Sequence, residues 1–253
     1  MEKQQNLWVD AVYVLSVKSF TDRIAHIKQE LSKYNIAFEF IFDYDIENIT
    51  PKIISQYFNL STKTGSELTP AHQSLILKHI TAWQKAIEKK YNNILIFEDD
   101  VILCPNFNKK LQEILDTLQT ISPSYLVFLG GRDTKVPLEF FLTKSPIFKN
   151  PIATTDGYIT DYLALKKREQ WLQHHLIDLP ADHLIKLIDQ STNIDQYWAT
   201  ETLIQQGSVT GLFKSTLDKR RQARSAISNK LHYLLKILRR KVVPKFLALC
   251  LKK

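Results

Sequence analysis

Three acidic residues, Glu98, Asp99 and Asp100, stand directly after a short apolar run, Ile94-Leu95-Ile96-Phe97. Adjacent carboxylates repel one another, so three in a row call for a positive charge to offset them. A hard divalent cation with oxygen ligands meets that need. In an extended chain alternate residues share a side, so Glu98 and Asp100 can face one ion, or one ion and a ribose. Mg²⁺ or Mn²⁺ held by two carboxylates keeps open positions that a diphosphate can fill. The bland reading of the same residues is a solvated acidic turn. The preceding run favours the functional reading. Four consecutive apolar residues suit a central parallel strand covered on both faces, and ligands of open α/β sheets gather at the carboxyl ends of such strands.

Several other polar residues are candidates for the same edge. His79 lies beside the apolar stripe of a helical segment, where a packed, hydrogen-bonded histidine is the commoner outcome. Asp182 follows Leu179-Pro180-Ala181 at a helix start, as a cap or as a general base. Glu201, just after Tyr197-Trp198, is the second candidate for that base. Trp198 itself reads equally as a core residue and as a surface for a sugar or base. Gly130-Gly131 ends a strand and either lets backbone approach a ligand or makes a tight turn. Cys104 has no histidine near it in sequence and reads as a small buried hydrophobe. The phosphate-loop, dinucleotide, HExxH and GxSxG signatures are all absent.

The elements that must position these residues alternate along the chain. Residues 9–17, 37–42, 94–97, 125–129 and 157–165 read as strands, from their β-branched and aromatic content. Residues 20–34, 51–58, 70–90, 107–118, 166–175 and 181–190 read as helices. Ser19 or Thr21, Thr50 and Thr69 are their expected caps, and Ile76, Ile80, Trp83 and Ile87 form one buried stripe. Residues 132–156 read as a surface loop and 191–215 as irregular. Strands alternating with helices predict an α/β domain with a mainly parallel sheet.

The 253 residues carry a net charge of +8, unevenly placed. Residues 219–253 hold 12 Lys/Arg and no Asp/Glu; residues 1–218 hold 22 basic and 26 acidic residues, a net −4. A mildly acidic body argues against a nucleic-acid-binding core. The expected division is a domain over 1–218 and a basic amphipathic tail over 219–253. In that tail Ile227, Leu231, Leu234, Leu235, Leu238 and Val242 recur at helical spacing between basic residues, and Pro244 should break or kink the helix. Such a helix suits an anionic membrane surface; the plainer alternative is a terminal helix packed on its own domain. Only two cysteines, Cys104 and Cys250, fit a reducing compartment. The polar start, with Asp10 interrupting Leu7–Val17, predicts no secretory segment, and no apolar run is long enough to predict a membrane span.

These motifs, in this order, resemble glycosyltransferase family 25, the lipooligosaccharide glycosyltransferases of Gram-negative bacteria. Val14-Leu15-Ser16-Val17-Lys18-Ser19 with Asp22-Arg23 is similar to the family's opening strand and turn, with Ser16 where Asn is usual. Leu68-Thr69-Pro70 through His79-Ile80 resembles its "LT-GEIGC-LSH" helix. His79 matches there, while Ala71, His72, Ser74 and Lys78 replace Gly, Glu, Gly and Ser. Ile96-Phe97-Glu98-Asp99-Asp100-Val101 is similar to its "LEDD" motif. Gly157-Tyr158-Ile159, Leu179-Pro180-Ala181-Asp182 and residues 201–215 resemble its later segments.

The resemblance implies a GT-A-type fold, a nucleotide-binding α/β sheet with a metal-binding acidic motif at its edge. It implies inverting transfer of a hexose, galactose or glucose, from a UDP-sugar to a growing lipooligosaccharide. The expected site has Glu98 and Asp100 on Mn²⁺ or Mg²⁺, with Asp99 supporting the metal or meeting the ribose. Ser16, Lys18, Arg23, His79 and Gly130 are the further donor-binding candidates, with Asp182 or Glu201 as base. The expected setting is cytoplasmic, peripheral on the inner face of the bacterial inner membrane, with no nucleic-acid partner. Two readings stand beside this one: a non-catalytic sugar-nucleotide binder or membrane-recruited scaffold, and a metal-dependent nucleotidyl or phosphoryl transferase acting at phosphorus.

Overall fold

The computed structural model describes residues 9–131, 134–151, 154–213 and 226–251. Its centre is a seven-stranded sheet in the order β2-β1-β3-β7-β5-β8-β6. These strands are β1 (Ala11–Leu15), β2 (Glu39–Ile41), β3 (Asn93–Glu98), β5 (Tyr125–Phe128), β6 (Ile147–Lys149), β7 (Gly157–Asp161) and β8 (Asp195–Ala199). β1, β2, β3, β5 and β8 run one way, and β7 and β6 run against them, so the sheet is mainly parallel with two reversed strands. A separate antiparallel pair, β4 (Val101–Leu103) with β9 (Ile204–Gln206), stands just beyond β3.

Strand periodicity sends alternate residues to opposite faces, and both faces are covered. Tyr13, Leu15, Ile94 and Ile96 pack under α3 (Pro70–Lys89), α5 (Tyr162–Leu172) and α6 (Ala181–Ser191). Val12, Val14, Leu95 and Phe97 pack under α1 (Thr21–Ser32) and α4 (Phe107–Leu118). Thr69 caps α3 as expected, its hydroxyl accepting the His72 N–H, and Thr50 caps α2 (Pro51–Tyr57) ahead of a proline. Neither Ser19 nor Thr21 caps α1, whose N-cap position is Phe20. Of the α3 stripe, Ile76, Ile80 and Trp83 are fully buried and Ile87 partly so.

Three segments depart from the sequence reading. The expected loop 132–156 contains a short 3₁₀ turn, Leu138–Phe141, and the edge strand β6, whose three residues are too few to show a period. The expected irregular segment 191–215 contains β8, β9 and the four-residue α7 (Gly207–Thr210). β8 escaped notice because it buries a polar residue: Gln196 points inward and donates to Asp189 at 2.9 Å. The strand expected over 157–165 stops at Asp161, whose carboxylate accepts the Ala164 N–H and starts α5.

Behind β7 and β8 lies a fully buried ion pair. Arg168 on α5 grips Asp189 on α6 with two parallel bonds of 2.7 and 2.8 Å, and donates a third to Thr160 on β7 at 2.9 Å. Two helices and one strand are joined through one guanidinium, and Gln196 on β8 is tied in through Asp189.

The tail forms two helices, Ala226–Ile237 and Val243–Leu251, joined by a π turn at Leu238–Val242. Pro244 sits at the start of the second helix, where it cannot donate backward. The wider π turn before it accommodates the interruption. Residues 219–225 and 252–253, and with them the expected boundary at 218/219, lie outside the described residues. Among the described residues no helix is long and apolar enough to cross a membrane.

Candidate functional site

The chain leaves β1 through α1 to β2 on one side, while β3 pairs with β1 on the other. The carboxyl ends of β1 and β3 therefore flank a switch point, where α/β sheets open a crevice. Register keeps the rim level: Leu15 is opposite Ile41 on one side and Glu98 on the other. A cavity of about 250 Å³ lies there, lined by Ser16, Phe20, Arg23, Ser74, Lys78, Glu98 and Asp99 among others.

The three adjacent acids do different things. Asp99 is buried between β1 and α1. It accepts the Ser16 hydroxyl at 2.7 Å and the Arg23 guanidinium at 2.8 Å. Burial raises its carboxyl above the usual range, with Arg23 and Ser16 pulling the other way. Asp100 turns to the far side. Its Oδ2 accepts the Ser208 N–H at 3.0 Å and its main-chain carbonyl accepts the Gly207 N–H at 2.7 Å. Its Oδ1 is buried and has no hydrogen-bond partner among the described residues. Glu98 accepts Thr155 at 2.8 Å and Gln206 at 3.2 Å, and is pushed up to about 8, first by burial and next by the Asp100 charge.

A fourth acid, Asp156, joins them from the residue before β7. Burial pushes it up to about 6, and Asp100 adds to the rise. Thr154 donates to it at 2.6 Å and the Gly131 N–H at 3.2 Å. A Cβ on Gly130 would lie 1.8 Å from its Oδ2. Gly130 thus makes room for a carboxylate of the chain itself.

The cluster fits a divalent cation in one respect. Its oxygens are hard, Asp100 raises the pKa of Glu98, Asp99 and Asp156, and among the described residues one buried oxygen is unmatched. Among the described residues no three His, Cys, Asp or Glu side chains converge closely enough to hold a metal ion by themselves. A cation here would draw its remaining ligands from a diphosphate and water, as Mg²⁺ commonly does.

The other expected residues are spread more widely. Lys18 donates its main-chain N–H to Asp45 at 3.0 Å, but its side chain is exposed and lines no part of the cavity. His79 is buried in the core beneath α3. Its Nδ1 lies 2.9 Å from the Tyr158 hydroxyl, which also accepts the Trp83 N–H at 2.9 Å. It is absent from the cavity lining, a correction to its expected place on the donor. Asp182 stands in the first turn of α6, near enough to His72 on α3 to raise that ring's pKa, though burial lowers it overall. Asp182 caps nothing beyond its neighbour's N–H; the N-cap position is Pro180. α3 and α6 each precede a strand of the parallel set, so both begin on the rim that carries Glu98. Glu201 is mostly exposed, pairs with Lys110 at 2.6 Å, and lines a different cavity of about 930 Å³. The two candidate bases therefore occupy different places, and Glu201 does not share the cavity of Glu98.

Burial holds His79 down at about 3, against 6.5 for a free imidazole. The folded protein therefore refuses a proton that the unfolded chain accepts below about pH 6.5. Stability from this group is full above that pH and falls as pH drops towards 3, by about 2–3 kcal/mol between pH 7 and pH 4.5. His79→Asn keeps a polar partner for Tyr158 and removes the titration. Urea unfolding at the two pH values will show a smaller acid loss in the variant; parallel losses would contradict the assignment.

Sequence reading missed Thr155, Asp156, Gln206 and Ser208 as site residues, and the buried pair Lys78–Asp45 at 2.6 Å in the wall. The Gln206-Gly207-Ser208 run was visible as a motif, but nothing local tied it to Glu98 and Asp100. Lys78 is drawn below the usual lysine range by burial, with Asp45 opposing.

Residues 9–198 match the sequence family described as Glycosyltransferase family 25 (LPS biosynthesis protein). The chain is 33% identical over 185 residues to the lipooligosaccharide biosynthesis protein lic2B of Haemophilus influenzae, covering 69% of this chain and 66% of that protein, just under two thirds of its length. It is 23% identical over 259 residues to the lipooligosaccharide biosynthesis protein lex-1 of the same species, covering 86% and 84%. It is 22% identical over 140 residues to the inactive glycosyltransferase 25 family member 3 of Homo sapiens, covering 52% of this chain and 23% of that one.

Proposed function

The chain belongs to glycosyltransferase family 25, and on that premise we propose that it is a GT-A-type enzyme moving a hexose, with inversion, from a UDP-sugar to a lipooligosaccharide acceptor. The observation that carries this reading is the cavity at the carboxyl ends of β1 and β3, where Arg23 and Lys78 stand beside the acidic wall of Glu98 and Asp99. Cations next to carboxylates suit a diphosphate bound with a divalent ion. Asp99 positions Arg23, and Ser16 braces Asp99, so the guanidinium is oriented before a donor arrives. Glu98 and Asp100 would hold Mn²⁺ or Mg²⁺, which when bound offsets charge on the departing diphosphate. Asp182 takes the acceptor hydroxyl proton. It stands on the same rim, and among the described residues its carboxylate accepts a hydrogen bond from the adjacent N–H alone.

A donor panel tests this. With Mn²⁺ present, a UDP-hexose will raise the melting temperature, since a ligand at 100 times its Kd adds about 2.7 kcal/mol. GDP- and CMP-sugars will not, and chelation will remove the effect. No shift with any UDP-sugar and metal overturns the donor assignment. A second reading, a non-catalytic sugar-nucleotide binder, draws on the relative named inactive. It predicts the same thermal shift with neither hydrolysis nor transfer. Release of UDP together with an intact transferred sugar separates glycosyl transfer from attack at phosphorus.

A further inference from the structure

The tail is built inside out. Its first helix packs on α7 and its second on the 3₁₀ turn Leu138–Phe141. The residues that meet the body include Tyr233 and Ala248, both buried, and the cation Lys241, whose Nζ lies 3.8 Å from the Trp198 ring centre and 4.8 Å from that of Phe140. The leucines of the first helix and the turn after it point the other way. Leu231, Leu234, Leu235 and Leu238 are between 51% and 58% exposed. At 3.6 residues per turn the four leucines form one narrow ridge opposite Tyr233, and Lys230 and Arg239 flank it on either side. Both flanking side chains are exposed, as is Lys245 in the second helix. With Lys241 turned inward behind them, the leucines leave an apolar face about two turns long, which calls for a cover.

We propose that this face docks on an anionic lipid bilayer. The charge identifies the occupant: residues 219–253 carry 12 basic and no acidic residues, while the rest of the chain is net negative. A second copy of this chain would bring the same positive charge to the same face and repel it. A bilayer rich in anionic headgroups offers apolar depth for the ridge and phosphates for its basic flanks. The stacking of Lys241 on Trp198 and Phe140 ties the docked helices to the end of β8. The cavity of about 930 Å³, walled on one side by Ile237, Lys241, Val242, Lys245 and Phe246, is thereby held next to the lipid. This deepens the proposed function by giving the acceptor a lipid-anchored approach, yet the docking itself needs no donor, metal or turnover.

The test is flotation of the full-length protein with vesicles of phosphatidylethanolamine and phosphatidylglycerol, against vesicles of phosphatidylcholine. Binding to the anionic vesicles is expected, weakening as salt is raised. Leu234→Ser/Leu238→Ser and Arg239→Gln/Lys245→Gln will each lower the bound fraction about tenfold or more. Both replace exposed residues, so melting temperature and donor-induced thermal shift will stay as in the parent. Equal binding by either double variant, or equal binding to neutral vesicles, overturns the proposal. So does a protein that ignores vesicles but dimerises in solution and is made monomeric by the leucine replacements. A failed donor panel with intact vesicle binding would remove the enzymatic reading and leave this one standing.

Discussion

Asp100→Asn will lower sugar transfer on the order of 10²–10³-fold while leaving the fold in place. The asparagine side-chain oxygen still accepts the Ser208 N–H, and the main-chain bond from Gly207 to residue 100 is untouched. What is lost is the negative charge around the buried, unpartnered Oδ1. Among the described residues that atom is the one carboxylate oxygen of the triplet with no hydrogen-bond partner, so it has the most to offer an incoming cation. Removing the charge also relieves Glu98, whose carboxyl will fall back towards its ordinary range because Asp100 is the largest charge acting on it. Two readouts separate the roles: turnover with Mn²⁺, and the metal-dependent part of the thermal shift with UDP. Both should collapse together, with unfolding in urea little changed or slightly improved. Near-normal turnover would place the cation elsewhere or dispense with it.

Asp189→Ala will cost about 3–5 kcal/mol of folding stability. It strands the Arg168 guanidinium, fully buried, with only the Thr160 hydroxyl and a stacked Trp83 ring for company. The Gln196 amide loses its acceptor as well. For a chain of this size the melting temperature should drop by roughly 10 °C. The double variant Arg168→Met/Asp189→Leu should be far milder, because an apolar pair of similar volume leaves no uncompensated charge behind. If the single and double variants were equally unstable, packing rather than unpaired charge would be the cause.

What the sequence revealed and concealed follows from distance along the chain. Helices α3, α4 and α6 and strand β3 were legible because their signals are local: a cap, a stripe, an unbroken apolar run. The acidic triplet was legible for the same reason, since a greasy strand ending in three acids is a short pattern. β8 was not, because its inward Gln196 is satisfied by a residue on another helix. Asp156 was not, because only the packed structure brings it beneath Gly130. For His79 the local pattern, a histidine beside a buried stripe, favoured packing, and only the motif resemblance put it on the donor. Its motif position suggested chemistry, while the fold gives it Tyr158 and Trp83 as neighbours in the core.

The wall of the acidic cleft arrives late. All seven strands of the main sheet are complete by Ala199, but Gln206 and Ser208, which bind Glu98 and Asp100, lie 108 residues downstream of their partners. During vectorial synthesis the scaffold can therefore assemble while the triplet still lies open on one side. Closing so long a loop brings little reward until β9 pairs with β4. Maturation of the cleft then follows completion of the sheet, and a nascent chain halted before residue 203 would be a finished scaffold around an unfinished pocket.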